Sequence, residues 1–215
     1  MDIHTTFKLL EKYSIPFPRY TVFRELSNMK KEITEKIGFP AVLKLIAPQI
    51  IHKTDAGAIK LGICSWEDLE REYYRMEERF KDIEDRKYLI QKQVPKGVEL
   101  VIGGVRDKIF GPVVMFGLGG IFVEIYKDVS FRLAPVTISD AYEMIDEIRG
   151  RKILEGFRGL PPVNKQLIAN VITSVSKLIY SNNEILEIDI NPLICVGNEA
   201  YAVDVRIITG DIYEK

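Results

Sequence analysis

The 215-residue chain balances 30 Lys and Arg against 31 Asp and Glu, a net charge of −1, with 47% hydrophobic and 28% charged residues. That composition excludes a disordered chain and a fibrous or disulfide-dense one, and it leaves no basic footprint for nucleic acid or an anionic membrane. Two cysteines, Cys64 and Cys195, lack metal-ligand spacing, and no long apolar run points to export or insertion, so a cytoplasmic protein is expected.

Taken in chain order, residues 1–14 are expected to form an N-terminal helix, and Met29, Ile33 and Ile37 before Gly38 predict a second. Ala41–Ile46 and Ala58–Ile63 read as strands, being aliphatic runs bounded by Pro, Gly and polar loop residues. Ser65 and Asp68 make a start like a capping box, after which Leu69, Tyr73, Met76, Phe80 and Ile83 share one face of a helix reaching about Ile83. Strands are predicted over Tyr88–Val94, Glu99–Val105, Pro112–Phe116, Phe122–Tyr126, Ile185–Ile190 and Ala200–Ile207, with helices following Ser139 and Asn164. Turns at Gly103-Gly104 with Arg106-Asp107, at Gly119-Gly120 and at Gly197-Asn198 are too short for helical crossovers, so neighbouring strands should pair antiparallel in an α+β fold. Val94-Pro95-Lys96-Gly97 interrupts two apolar runs with turn chemistry and is expected to join a lobe over 15–95 to one over 96–215.

Lys44 and Lys60 lie in the two strands flanking the loop at 47–57. A lysine in each arm of a hairpin suits a phosphate chain laid across it, although two solvated strand lysines are the plainer reading. His52, in that loop, is one of two histidines. Imidazole is a nucleophile at neutral pH and Lys53 beside it would attract phosphate, but a histidine bonding its own loop is the simpler account from the residues alone.

In Glu184–Pro192 a period of two puts Leu186, Ile188 and Ile190 on one side and Glu187, Asp189 and Asn191 on the other. The strand Tyr201–Val205 adds Asp204 across the Gly197-Asn198 turn. Oxygen ligands from two paired strands are what Mg²⁺ accepts, its other positions being filled by water and nucleotide phosphates. A solvated face accounts for Glu184 and Glu187, but less well for an Asn-Pro stop and a lone Asp in an apolar strand. Gly117-Leu-Gly-Gly120 allows a backbone anion nest or a plain tight turn; it lacks the third glycine of a dinucleotide fingerprint, and the chain has no P-loop motif.

Five stretches together resemble one family: FPAVLKLI at 39–46, IHKTDAG at 51–57, GPVVMFGLGGIFVE at 111–124, DVSFRLAP at 128–135 and EIDINPL at 187–193. They are similar to the ATP-grasp beta subunit of ADP-forming acetate–CoA ligases, and LLEKYSIPFP at 9–18 resembles the start of succinyl-CoA synthetase beta chains. The resemblance implies two lobes gripping ATP or ADP with Mg²⁺ between two mainly antiparallel sheets, and the reaction acyl-CoA + ADP + phosphate ⇌ carboxylate + CoA + ATP. It implies that Lys44 holds nucleotide phosphates, that Gln91, Lys92 and Val94 border the adenine, and that Glu99 approaches the ribose; the residues themselves add Lys60, Gly119 and Gly120 as expected phosphate contacts. Asn191 and Asp204 would hold Mg²⁺. His52 would be a phosphohistidine exchanging its phosphoryl group with a histidine on an alpha subunit, in an alpha2-beta2 assembly touching neither nucleic acid nor membrane. The family commonly has two glycines where this chain has Gly57-Ala58, which restricts backbone freedom at the loop's end. The competing readings are a stand-alone ATP-grasp carboxylate–amine ligase working through an acyl phosphate, and a regulatory ATP-binding module without chemistry.

Overall fold

Four short strands build the first sheet. Numbering elements along the chain, β1 (Tyr20–Phe23), β2 (Ala41–Ile46), β3 (Ile59–Ile63) and β4 (Lys87–Lys92) pair antiparallel in the order β1-β4-β2-β3. The computed structural model describes residues 1–47, 49–50, 56–120, 127–157 and 159–210. Its contacts divide the chain into two units, Pro18–Val94 and the combined segments Met1–Phe17 and Pro95–Lys215.

In the Pro18–Val94 unit, Leu43 sits opposite Ile90, and Leu45 and Phe23 flank Tyr88, giving one continuous apolar face. Helix α3 (Trp66–Arg79) covers that face with Leu69, Tyr73 and Met76, all buried. Each such side chain contributes about 2 kcal/mol by leaving water. The Ser65 hydroxyl accepts from the Asp68 N–H, as its sequence position predicts. The helix ends at Arg79 rather than near Ile83, because Phe80 leaves helical geometry and turns into the core. The short helix α2 (Lys30–Glu32) continues as a π-helical turn over Ile33–Ile37, ending where Gly38 takes a positive φ of 66°.

The other unit is a sheet of β5 (Val98–Asp107), β6 (Gly111–Leu118), β7 (Val129–Leu133), β8 (Ile185–Val196), β9 (Glu199–Ala202) and β10 (Val205–Thr209). Its order is β10-β8-β5-β6-β7, with β9 also on β8, and every pairing is antiparallel. Helices α4 (Ile138–Glu147) and α5 (Lys165–Ser181) pack on one face; Val171, Ile172, Val175, Leu178 and Ile179 of α5 are buried there. Gly103 and Gly104 do not form the expected turn. They lie inside β5, where a Cβ on Gly104 would stand 3.0 Å from Ile188 and 3.2 Å from Ile179, so glycine is what lets α5 approach. The turn itself is at 108–110.

The predicted strand Ala200–Ile207 is two strands broken at Val203-Asp204, and β1, β7 and a 3₁₀ helix over Arg149–Glu155 have no counterpart among the predicted elements. The predicted strand Phe122–Tyr126 lies outside the described residues. Helix α1 (Ile3–Lys12), capped by Asp2, joins this second unit: Asn182 Nδ2 donates to the Tyr13 hydroxyl at 2.9 Å and the Ala202 N–H to the Pro16 carbonyl at 2.9 Å. The contacts thus draw borders at 17/18 and 94/95, against 14/15 and 95/96 expected from the sequence. Among the described residues no helix is long and apolar enough to cross a membrane.

Candidate active site

Strand register decides which candidate side chains share a face. In the small unit Val42 stands opposite Gln91 and Lys44 opposite Leu89, so Lys44 and Gln91 emerge on the same face, away from α3. Both are buried, Lys44 at 5% and Gln91 at 2% exposure. Lys60 stands opposite Leu43 and so emerges on the α3 face, where its ammonium lies 3.7 Å from the Glu72 carboxylate. The expected pair of lysines over one phosphate chain is therefore not formed by the hairpin. The cause is a register shift between Ala41 and Leu43. The Ala41–Ile63 register, if continued, would set Lys44 opposite Lys60, but one extra residue turns Lys60 to the other side.

Lys92 also directs its ammonium elsewhere, donating to the Phe39 carbonyl at 2.6 Å, so what it offers a ligand is backbone. Val94 is half-buried at the end of the same run. The Gln91 Nε2 finds no hydrogen-bond partner among the described residues. A buried donor without an acceptor costs about 1–3 kcal/mol, so this position fits a ligand acceptor such as a purine ring nitrogen.

In the large unit three expected contacts converge. The Gly119 N–H donates to the Glu99 carbonyl at 2.8 Å, a Cβ on Gly119 would meet Glu99 atoms at 3.1–3.3 Å, and Gly120, with φ of 60°, lies beside the Glu99 carboxylate. The exposed Glu99 side chain and the glycine turn thus border one spot.

Asn191 and Asp204 are also brought together. The Asn191 N–H donates to the Asp204 carbonyl at 3.1 Å, and the Val203 N–H to the Pro192 carbonyl at 3.2 Å. Asp204 occupies the break between β9 and β10, free of the alternation that would otherwise tie its side chain to one sheet face. Asp189, two residues before Asn191, is a group that sequence reasoning placed on this acidic face but left out of the metal set. Burial, reinforced by the Glu187 and Asp204 carboxylates, pushes its carboxyl above the usual range, and Arg206 opposes the shift. Among the described residues no three His, Cys, Asp or Glu side chains form a metal cluster. One amide and one carboxylate beside further acids fit Mg²⁺, which keeps several waters and needs few protein ligands.

His52 lies outside the described residues, as does Glu124. The flanks of the histidine stretch are anchored: Ile50 and Ala56 pack on the small unit's core, and Gly57 takes φ of 70° against the Arg79 guanidinium. Ala58 is fully buried and its carbonyl accepts from Leu45, so the alanine that departs from the family pattern serves packing, and the positive φ falls on Gly57. Arg106 has a structural task, donating to the carbonyls of Ile179, Asn182 and Ile185 at the end of α5. Arg132 is held by Glu147 and Glu143 of α4.

A family profile described as an ATP-grasp domain matches residues 1–209. Subunit beta of acetate–CoA ligase [ADP-forming] I from Pyrococcus furiosus is 44% identical over 205 residues, covering 94% of this chain and 88% of that one. The chain belongs to the ATP-grasp beta subunits of ADP-forming acetate–CoA ligases. Acetate–CoA ligase [ADP-forming] I of Archaeoglobus fulgidus is 39% identical, and there the match covers 94% of this chain but 30% of a longer polypeptide. A solved acetyl-coenzyme A synthetase 1 from Ca. Korarchaeum cryptofilum has a TM-score of 0.82 and 40% identity, covering 96% of this chain and 91% of its own. It holds coenzyme A and Mg-AMPPCP, with a phosphohistidine segment pointing towards the nucleotide binding site. The expected ATP-grasp fold with two antiparallel sheets is the one observed.

Proposed function

We propose that this chain is the nucleotide-handling half of an ADP-forming acyl-CoA synthetase, catalysing acyl-CoA + ADP + phosphate ⇌ carboxylate + CoA + ATP together with an alpha subunit in an alpha2-beta2 assembly in the cytoplasm. His52 is its phosphoryl carrier. In the direction of ATP use, an imidazole nitrogen attacks the terminal phosphorus, an N–P bond forms as the P–O bond to ADP breaks, and the phosphoryl group passes on to the alpha subunit's histidine. The N–P bond keeps a high transfer potential, provided water is excluded.

Lys44 neutralises phosphate charge from one face of the small sheet, Gln91 with the backbone at Lys92 and Val94 receives the base, and Glu99 with the Gly119-Gly120 turn receives the ribose and phosphates. Asn191 and Asp204 hold Mg²⁺, which supplies charge neutralisation to the transferring group. Lys60 is set apart from this group by its pairing with Glu72. Most of the rate enhancement comes from holding donor and acceptor in line. What supports the reading most is that the buried Lys44 shares one face with Gln91, whose Nε2 has no partner among the described residues, in a chain 40% identical to a protein solved with a magnesium nucleotide.

The test is phosphorylation of the purified chain by Mg·ATP, followed by intact mass and acid lability. An acid-labile, base-stable phosphate that disappears in His52→Ala is the expected result. A label that persists in His52→Ala, or an active complex that never labels, overturns the phosphohistidine step.

A further inference from the structure

On the α5 side of the large sheet Val114, Phe116, Ile188 and Ile190 are buried, and Ile179 of α5 approaches Gly104 closely. The sheet's other face carries exposed apolar side chains. Val105, Val113 and Leu133 stand in one row across β5, β6 and β7, and Met115 and Phe131 form the next row on the same face. Val105 is 48% exposed, Phe131 54% and Leu133 59%. The β5–β6 turn at the same end of the sheet adds Ile109 at 85% and Phe110 at 68%. Five of the eleven large exposed apolar residues among those described are therefore gathered at one end of one sheet. Single exposed apolar residues are unremarkable, but a contiguous group marks a surface that is covered in use.

The tip of the turn is also fixed. The Asp107 carboxylate accepts from the N–H groups of Ile109 and Phe110 at 2.8 and 2.9 Å, which holds the carboxyl below its ordinary range. An apolar tip held in place before a partner arrives loses little conformational entropy on docking.

We infer that this patch, comprising Val105, Ile109, Phe110, Phe131 and Leu133, is the docking surface for the subunit that carries the CoA and acyl chemistry; the inference rests on the function proposed above. Two observations favour that occupant. The Archaeoglobus relative carries this domain within a chain of which it makes up 30%, so a larger body accompanies it in fixed proportion, whereas the Pyrococcus relative is a separate subunit and must meet that body through its surface. The patch also lies on the sheet face that bears Glu187 and Asp189, since Val105 stands opposite Glu187 and Gly103 opposite Asp189. Strands are spaced about 4.8 Å apart, so β7 is about 14 Å from the acidic strand β8, and a partner seated on the patch reaches over that strand.

The experiment uses the full chain and its purified alpha subunit. Phe131→Lys with Leu133→Lys is compared with wild type for binding to the alpha subunit, thermal midpoint, labelling by Mg·ATP alone, and overall thioester-dependent ATP formation. Expected are an unchanged midpoint and labelling, binding weakened by about tenfold or more, and activity regained at high alpha-subunit concentration. Binding within twofold of wild type overturns the inference, as does a variant that loses only self-association of this chain. Should the double variant misfold, amide exchange on the wild-type protein decides: protection of 105–113 and 129–133 on adding the alpha subunit supports the patch, and no added protection there refutes it. Loss of labelling in His52→Ala is independent of all these arms, so a failure of the phosphohistidine reading is distinguishable from a failure of the docking surface.

Discussion

The Asn191 N–H donates to the Asp204 carbonyl, so a residue within β8 and one in the break between β9 and β10 are held side by side by backbone. In the proposed function both side chains hold Mg²⁺. Asp204→Ala is expected to raise the Mg²⁺ concentration for half-maximal activity by about tenfold or more, equivalent to about 1.4 kcal/mol, with Asn191→Ala following in the same direction. Magnesium titration of the coupled reaction checks this. Chelation should silence wild type and both variants alike.

The two hairpin lysines should behave differently. Lys44→Met keeps the buried stem and removes the charge, and is expected to lower kcat/KM for ADP by about 100-fold. Lys60→Ala removes an ion pair with Glu72 whose lysine end is about half exposed, and should change kcat/KM by less than about threefold. Equal losses in steady-state kinetics would mean that Lys60 meets the nucleotide as Lys44 does.

Gln91 offers a reversal of sign. Gln91→Met removes a buried donor that has no acceptor among the described residues, so the nucleotide-free protein should be as stable as wild type or slightly more so. The rise in thermal midpoint on adding Mg·ATP should shrink, since that rise measures preferential binding to the folded state. Thermal unfolding with and without nucleotide reads both effects.

Away from the chemistry, the Glu77 carboxylate accepts from Arg86 Nε and Nη2 and from the Tyr88 hydroxyl at 2.6 Å. Its hydrogen bonds to Arg86, first among the causes, hold the carboxyl below 4.5. A depressed acid stabilises the fold above its unfolded pKa and loses that contribution as pH falls through the folded one. Glu77→Gln should therefore cost about 1–3 kcal/mol at pH 7 and progressively less below about pH 4. Denaturant melts at the two pH values test it.

Much of this site can be read along the chain. The alternation in Glu187-Ile-Asp-Ile-Asn places acids on one face because β8 is buried on the other, and burial of one face is a local signal. Ser65 announces α3 for the same reason, since a cap acts within one turn. Lys60 is the contrary case. Its face depends on a shift in pairing with β2, a relation between strands that neither strand states by itself. Gly103 and Gly104 mislead similarly: paired glycines look like a turn, and only the helix above β5 shows why side chains are missing there. Arg106 lies in the strand run before the turn, and what it caps is the end of a helix some 75 positions on.

The chain enters the Pro18–Val94 unit on β1 and leaves it on β4, and those two strands are hydrogen-bonded neighbours, with Tyr20 opposite Gln91 and the Lys92 N–H on the Arg19 carbonyl. Entry and exit therefore lie about 5 Å apart. In chain order this unit is a cassette inserted between Phe17 and Pro95 of its host. A short glycine linker from Phe17 to Pro95 should bridge the cut, leaving a host that still folds around its own sheet, while the excised cassette, its ends already adjacent, is suited to circular closure or transplantation.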